Sequence, residues 1–182
     1  MKFAPTGIPE VILIEPDVHE DERGFFMETW HERIFDEAGI HARFVQDNYT
    51  RSSSATLRGL HYQVEQPQGK LIRVVVGEAF DVAVDLRKTS PTFGHWVGET
   101  LSAANKRSIW IPPGFAHGFF VTGDSAELVY RCTDYYARQH ERTLRWDDED
   151  VAIDWPLADI GRPVLSAKDA AGARLRDADL YA

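Results

Sequence analysis

Hydrophobic and polar residues alternate with period two through the middle of the chain. In Glu78–Leu86, Phe80, Val82, Val84 and Leu86 fall on one face, the spacing of a strand packed on one side. Just before it, Leu71-Ile72-Arg73-Val74-Val75-Val76 is a β-branched run that stops at Gly77. Pro91-Thr92-Phe93-Gly94 marks a turn, His95–Leu101 a further strand, and Arg107–Ile111 another, ended by Pro112-Pro113-Gly114. Phe119–Val121 and Glu127–Cys132 read as two strands joined by a turn at Thr122-Gly123-Asp124-Ser125. Helical signals are peripheral: Glu32–Ala38 predicts a short helix ended by Gly39, and the Ala-, Arg- and Asp-rich stretch Lys168–Leu180 predicts a terminal one. No βαβ rhythm, dinucleotide fingerprint, phosphate loop, repeat or linker interrupts this pattern. The expectation is one all-β domain over residues 1–182, a sandwich or barrel of short strands.

Composition narrows the function. The 182 residues suffice for one core. A net charge of −9, from 20 basic and 29 acidic side chains, speaks against a general nucleic-acid binder. The one cysteine, Cys132, excludes a disulfide framework and any zinc site needing two thiolates, and fits a reducing cytoplasm. Met1–Pro5 opens no apolar leader, and no run of about 18 apolar residues occurs, so a soluble cytoplasmic protein away from the membrane is expected.

Four segments carry candidate chemistry. Asp21–Glu28 centres on Arg23-Gly24-Phe25-Phe26 and reads as a hairpin whose aromatics fill a core or pocket. Gln46-Asp47-Asn48, Leu57–Gln63 and Gln68-Gly69-Lys70 gather amides, cations and His61. Between Thr50 and Arg73, Arg51, Arg58, Lys70 and Arg73 face one acid, Glu65, a local reversal of the chain's charge that suits an anionic small molecule held by Arg forks. Surface cations balancing acids elsewhere would read the same way. Ile111–Phe119 places His117 behind a rigid Pro-Gly turn, where a satisfied core histidine is the plainer reading. Val129–Tyr136 holds three tyrosines, Tyr130, Tyr135 and Tyr136, each with a hydroxyl that wants a partner.

Pro112-x-Gly114-x-x-His117 resembles the second half of the cupin metal signature. The first half fails. Gln63 stands where the second imidazole of His-x-His belongs, and Lys70 where the carboxylate belongs. A lysine offers donors only and repels a divalent cation. The sequence therefore suggests a cupin-like jelly roll without a metal, in which a fixed ammonium stabilises a developing oxyanion.

Taken together, Arg23-Gly24-Phe25-Phe26, Gln46-Asp47-Asn48, Leu57-Arg58-Gly59-Leu60-His61, Gly69-Lys70, Phe80–Asp85, Ser90–Gly94, Trp110-Ile111-Pro112, Gly114–Phe119 and Ser166-Ala167-Lys168-Asp169 resemble the dTDP-4-dehydrorhamnose 3,5-epimerase family. The resemblance runs from about Ile8 to Asp169, in one order. It implies a cupin-type jelly roll (a double-stranded β-barrel) with short peripheral helices. It also implies a cofactor-independent homodimer with exchanged N-terminal strands, acting on a dTDP-4-dehydro-6-deoxy sugar. Its implied catalytic set is His61 as base, Asp169 as the partner of that histidine, Tyr130 as acid and Lys70 as the oxyanion cation. Its implied substrate contacts are Arg23, Glu28, Gln46, Asp47, Asn48, Arg58, Lys70, His117, Glu141 and Lys168, with Tyr136 stacking on the base. Two departures stand beside these: Tyr49 where many members have His, and Arg131 after Tyr130 where Lys is usual.

These residue types suit the reaction. Protons on both sides of a 4-keto group are weakly acidic, and inversion removes one from one face and returns one to the other. Histidine titrates near working pH, and a carboxylate behind it fixes its tautomer. Tyrosine stays protonated and can donate. Spacing alone leaves the partner of His61 open, since Asp81 and Asp85 compete with Asp169. A single-site epimerase, a non-catalytic sugar-nucleotide binder and a metal-dependent cupin are the alternatives. Intact His61, Lys70 and Tyr130 favour inversion at both carbons.

Overall fold

A computed structural model describes residues 1–157 and 160–181. The strands are β1 (Lys2–Pro5), β2 (Ile12–Glu15), β3 (Val18–Asp21), β4 (Gly24–Met27), β5 (Gln46–Ser53), β6 (Leu57–Gln63), β7 (Lys70–Asp85), β8 (Trp96–Ser102), β9 (Ser108–Ile111), β10 (Phe115–Cys132) and β11 (Glu141–Thr143). Helix α1 spans Glu32–Glu37, helix α2 Ala167–Ala170, and a 3-10 turn covers Leu175–Asp177. Nine strands join in the antiparallel order β1-β2-β9-β7-β10-β6-β11, with β5 added on β10 and β8 on β7, while β3 and β4 form a separate hairpin.

The architecture turns on β7 and β10. Early in β7, Lys70–Arg73 pairs with β9; later, Glu78–Val84 pairs with β8. In β10, Phe115–Phe120 runs beside β6 and β7, and Ser125–Cys132 beside β5 and the start of β7. Each long strand thus belongs to two layers, and the jelly-roll core lies between them. Ile72, Val74, Ala83, Leu101, Ile109, Phe119, Val121 and Leu128 fill it.

Two expectations change here. Leu71–Val76 and Glu78–Leu86 are one strand, and so are Phe119–Val121 and Glu127–Cys132. Thr122–Ser125 does not reverse the chain; it is a register shift between Val121 and Ala126. Gly77 lies opposite it with φ +73, and a Cβ there would sit 1.9 Å from the Ser125 carbonyl oxygen. Turn-type residues at both places bend a strand pair from one layer to the other instead of ending it.

The even face of the second half of β7 behaves as its pattern requires: Val82, Val84 and Leu86 are buried in a second cluster, with Phe80 packed against it. The C-terminal segment covers that cluster, and this explains why the expected terminal helix is cut to α2 at its start and the 3-10 turn further on. After Ala170 the chain pairs with β11 and the residues beyond it (Ala173 N to Thr143 O 2.9 Å, Arg145 N to Ala173 O 2.8 Å). It then passes through the 3-10 turn at Leu175–Asp177, and Leu175, Leu180 and Tyr181 reach the cluster. The predicted helix before Gly39 is present as α1, with Phe35 buried against Leu71 and Trp110 on the outer face of the other layer.

Candidate active site

The site forms where β6, β5, the start of β7 and the end of β10 converge. Strand alternation sends His61 and Gln63 of β6, Gln46 and Asn48 of β5, Lys70 of β7, and Tyr130 and Cys132 of β10 into one cavity of about 230 Å³. Tyr136, Glu141 and Tyr181 complete its wall. Gly59 lets β6 lie against β10 here, since a Cβ at that position would stand 2.6 Å from the Cα of Gly118.

His61 Nε2 lies 2.5 Å from Asp169 Oδ1. The rivals are committed elsewhere: Asp81 to His117 (2.9 Å), and Asp85 to Arg87 (2.8 Å), Ser90 (2.6 Å) and Thr92 (2.7 Å). Burial pushes the Asp85 carboxyl up, but those donors hold it at about 2. Helix α2 aims Asp169. Ser166 caps it, accepting from Asp169 N (3.1 Å) and donating to Asp169 Oδ2 (2.8 Å). Burial alone would raise the Asp169 carboxyl, yet His61 and Ser166 outweigh it and leave the group below the ordinary carboxylate range.

Burial lowers His61, more than Asp169 raises it, with Lys168 and Lys70 adding to the fall. The neutral imidazole therefore prevails at neutral pH, and Nδ1 is the nitrogen left to accept a proton. Burial raises the Tyr130 phenol, which stays protonated. Burial also lowers Lys70, opposed by Cys132, Asp81 and Glu141 and assisted by Lys168. An ammonium in so dry a place is a strong electrostatic donor.

Around this centre the polar side chains are linked. Tyr136 donates to Glu141 (3.0 Å), as does Lys168 (2.8 Å). Gln46 donates to Asn48 (3.0 Å) and accepts from Tyr136 N (2.8 Å). Arg58, outside the cavity lining, is held by Ser52 (2.8 Å) and Arg51 O (3.3 Å). His117 is buried on Asp81, and it is the register partner of His61 across β10 and β6.

Beyond Arg58 and His117, neither of which lines the cavity, three further anticipated contacts stand apart. Asp47, on the opposite face of β5, lines a neighbouring cavity of about 300 Å³ with Arg73 and Arg131, which Tyr130 and Asn48 also border. Arg23 is paired with its own neighbour Asp21 on the β3–β4 hairpin. Glu28 is exposed just beyond that hairpin. Nor do the hairpin aromatics fill a core: Phe25 and Phe26 are 58% and 70% exposed.

Cys132, Tyr181, Ser166 and Gln63 belong to the site without being among the residues the sequence points to, and two of them carry a signal that could have found them. Ser166, three positions before an acid, carries the signature of a helix N-cap. Gln63, which stands in the sequence at the place of a lost metal ligand, is buried, and its amide accepts from Ala137 N (2.7 Å) and donates to Gln66 O (2.7 Å) and Tyr135 O (3.2 Å). Among the described residues no three His, Cys, Asp or Glu side chains converge as metal ligands.

A histidine backed by a carboxylate, a tyrosine and a buried ammonium around one cavity of a jelly roll make up the equipment of a cupin-type epimerase. The family model described as dTDP-4-dehydrorhamnose 3,5-epimerase matches residues 5–177, and the chain belongs to that family. It is 56% identical to the dTDP-4-dehydrorhamnose 3,5-epimerase of Pseudomonas aeruginosa, over all of this chain and 99% of that one. The dTDP-6-deoxy-D-glucose-3,5-epimerase of Legionella pneumophila, in complex with dTDP-4-keto-L-rhamnose, superposes with a TM-score of 0.95 at 50% identity, over 99% of this chain and 97% of that one. A 3'-monoepimerase from Streptomyces bikiniensis, in complex with dTDP-quinovose, is 33% identical with a TM-score of 0.87, over 95% and 87% of the two chains.

Proposed function

We propose that this chain is an isomerase that converts dTDP-4-dehydro-6-deoxy-α-D-glucose into dTDP-4-dehydro-β-L-rhamnose by inverting C3 and C5, on the route to dTDP-L-rhamnose. The 2.5 Å contact of His61 with Asp169, in the cavity that also holds Lys70 and Tyr130, carries the reading.

His61 Nδ1 removes the proton at one carbon, and the C–H electron pair moves into the ring as the C4 carbonyl becomes an enolate. The imidazolium is stabilised by Asp169. Lys70 stabilises the enolate oxygen, a contribution of about 3–4 kcal/mol for a well-placed donor. Tyr130 returns a proton to the opposite face, and solvent restores both groups before the second carbon reacts. Nothing is oxidised or reduced, so the reaction needs no redox cofactor. Gln46, Asn48, Glu141 and Lys168 hold the sugar nucleotide, His117 supports the carbonyl end, Arg58 faces the diphosphate and Tyr136 stacks on the base.

Residues 1–182 act as one sugar-nucleotide epimerase domain in a cytoplasmic homodimer. The β3–β4 hairpin supports the dimer: among the described residues its strands pair only with each other, and it exposes Arg23, Phe25 and Phe26. An exchanged N-terminal arm would carry Arg23 and Glu28 to the second site and cover those rings.

Proton NMR of the substrate in D2O tests the reading. Loss of signal at C3 and C5, abolished by His61→Asn with dTDP binding retained, is the expected result. The monoepimerase relative makes a C3-only outcome the specific rival. An active His61→Asn enzyme would overturn the mechanism.

A further inference from the structure

The family match ends at residue 177, yet the chain's last described residue lines the cavity. Three contacts pin this tail. Arg142 of β11 donates to Asp179 (2.7 Å), Lys88 N donates to Tyr181 O (3.2 Å), and the Tyr181 hydroxyl donates to Gln63 O (2.6 Å). The Tyr181 ring also meets Tyr62 edge-on, with centroids 6.0 Å apart. Tyr62 and Gln63 directly follow His61 on β6, and Arg142 directly follows Glu141 on β11. The tail therefore straps the sheet edge that presents both His61 and Glu141.

Gln63 passes the constraint onward. Its buried amide binds the backbone of Gln66, Tyr135 and Ala137, so this one side chain brackets Tyr136 on both sides, while Gln68 holds the loop further back at Asp134 O (2.8 Å). Tyr136 in turn reaches back to Gln46 and Glu141. A loop held from both ends stays in its binding geometry before ligand arrives, which removes an ordering cost from association.

We propose that Tyr181 is a positioning residue of the sugar-nucleotide site: by holding Gln63 it preforms the Tyr136 loop, and so sets affinity for the nucleoside diphosphate portion of the ligand. This deepens the epimerase reading and rests on it only for the identity of the ligand. The prediction concerns binding. Among the described residues Tyr181 makes no hydrogen bond to His61, Asp169, Lys70 or Tyr130, whereas Tyr136 stands at the wall that takes the base.

Tyr181→Phe keeps the ring against Tyr62 and deletes one hydroxyl. Calorimetric titration with dTDP should show Kd weakened by about three- to tenfold, the range for one lost hydrogen bond. KM for the dTDP sugar should rise in parallel, with kcat changed less than KM. Gln63→Ala should weaken dTDP at least as much, and adding Tyr181→Phe to it should cost little more, because both act on one path. An unchanged Kd in Tyr181→Phe, even with a lowered melting temperature, would mean that the tail is structural only and overturn the proposal. Fully additive losses would overturn the route through Gln63. If the wild type exchanged no sugar protons while Tyr181→Phe still weakened dTDP, the epimerase reading would fail and the positioning role would stand. Normal exchange with an unchanged Kd would leave the epimerase reading standing and remove the positioning role, and no dTDP binding by the wild type would sink both.

Discussion

The molecule holds two histidine–aspartate pairs on neighbouring strands, and they differ in what surrounds them. His61 meets Asp169 at 2.5 Å, and its side chain is 27% exposed to the cavity. His117 meets Asp81 at 2.9 Å in the sheet interior, with Asp81 fully buried. His117 and His61 are even register partners across β6 and β10. The side-chain chemistry is the same; the difference lies in access and in where the aspartate comes from. Asp169 arrives on a short capped helix from far along the chain, while Asp81 is part of the core strand β7. The accessible pair can exchange a proton with a ligand. The enclosed pair ties β10 to β7 and places a carboxyl group near Lys70.

Breaking the accessible pair should have the larger effect. In Asp169→Asn, Ser166 still donates to the side-chain oxygen it now meets, so the new amide nitrogen turns toward His61 Nε2. That donor forces the ring proton onto Nδ1, the nitrogen needed as base. A wrong tautomer of this kind costs about 10³- to 10⁴-fold in kcat, with dTDP affinity little changed. The residual activity should also keep an altered pH profile. Asp169 raises His61, so its removal moves the acidic limb to lower pH. The limb marks protonation of the base: activity falls as pH drops through the His61 pKa. A limb that moved upward would contradict the arrangement.

Breaking the enclosed pair should cost stability first. Asp81→Asn leaves His117 facing an amide in a buried place, worth about 1–3 kcal/mol, readable in urea unfolding. Its effect on catalysis should appear at alkaline pH. Lys70 faces Asp81, Cys132, Glu141 and Lys168, and Asp81 is among the groups that hold its proton on. Without that carboxylate the ammonium deprotonates at lower pH, and the alkaline limb moves down. Tyr130 lies above its ordinary range, so the limb belongs to Lys70. An unmoved limb in Asp81→Asn would separate Lys70 from the pair.

The contrast also shows what the sequence can carry. The period-two face of Phe80, Val82, Val84 and Leu86 is legible because burial on one side of a strand writes itself into local spacing. The bend at Gly77 and Thr122–Ser125 is not, since the same residues serve a turn or a shared bulge, and only pairing across strands decides which. The terminal helix is shortened to Ala167–Ala170 for a similar reason: beyond it the gain from covering an apolar cluster outweighs the helix-forming residues of Lys168–Leu180. Asp81, Asp85 and Asp169 could not be ranked as partners of His61 from spacing, because the contact spans 108 residues. Arg23 and Glu28 were legible as motif residues, but a single chain keeps them away from the cavity.

The smallest expected effect sharpens the comparison most. Ser166 has two tasks, capping α2 and holding Asp169 Oδ2; His117 and Asp81 need no such helper, being fixed by the strands themselves. If the accessible pair works because it is aimed from outside the sheet, the hydroxyl should matter to turnover beyond its value as a cap. Ser166→Ala loses both tasks, and Ser166→Gly loses the hydroxyl while keeping most of the cap, since glycine is nearly as good an N-cap as serine. Both variants should therefore lose a similar few-fold in kcat, about three- to tenfold for one oriented hydrogen bond. Only Ser166→Ala should lose the additional stability of about 1 kcal/mol that a cap supplies. Ser166→Thr, which restores the hydroxyl, should recover both. Should kcat instead track melting temperature across the three variants, Ser166 is a cap alone and Asp169 is held by His61 without help.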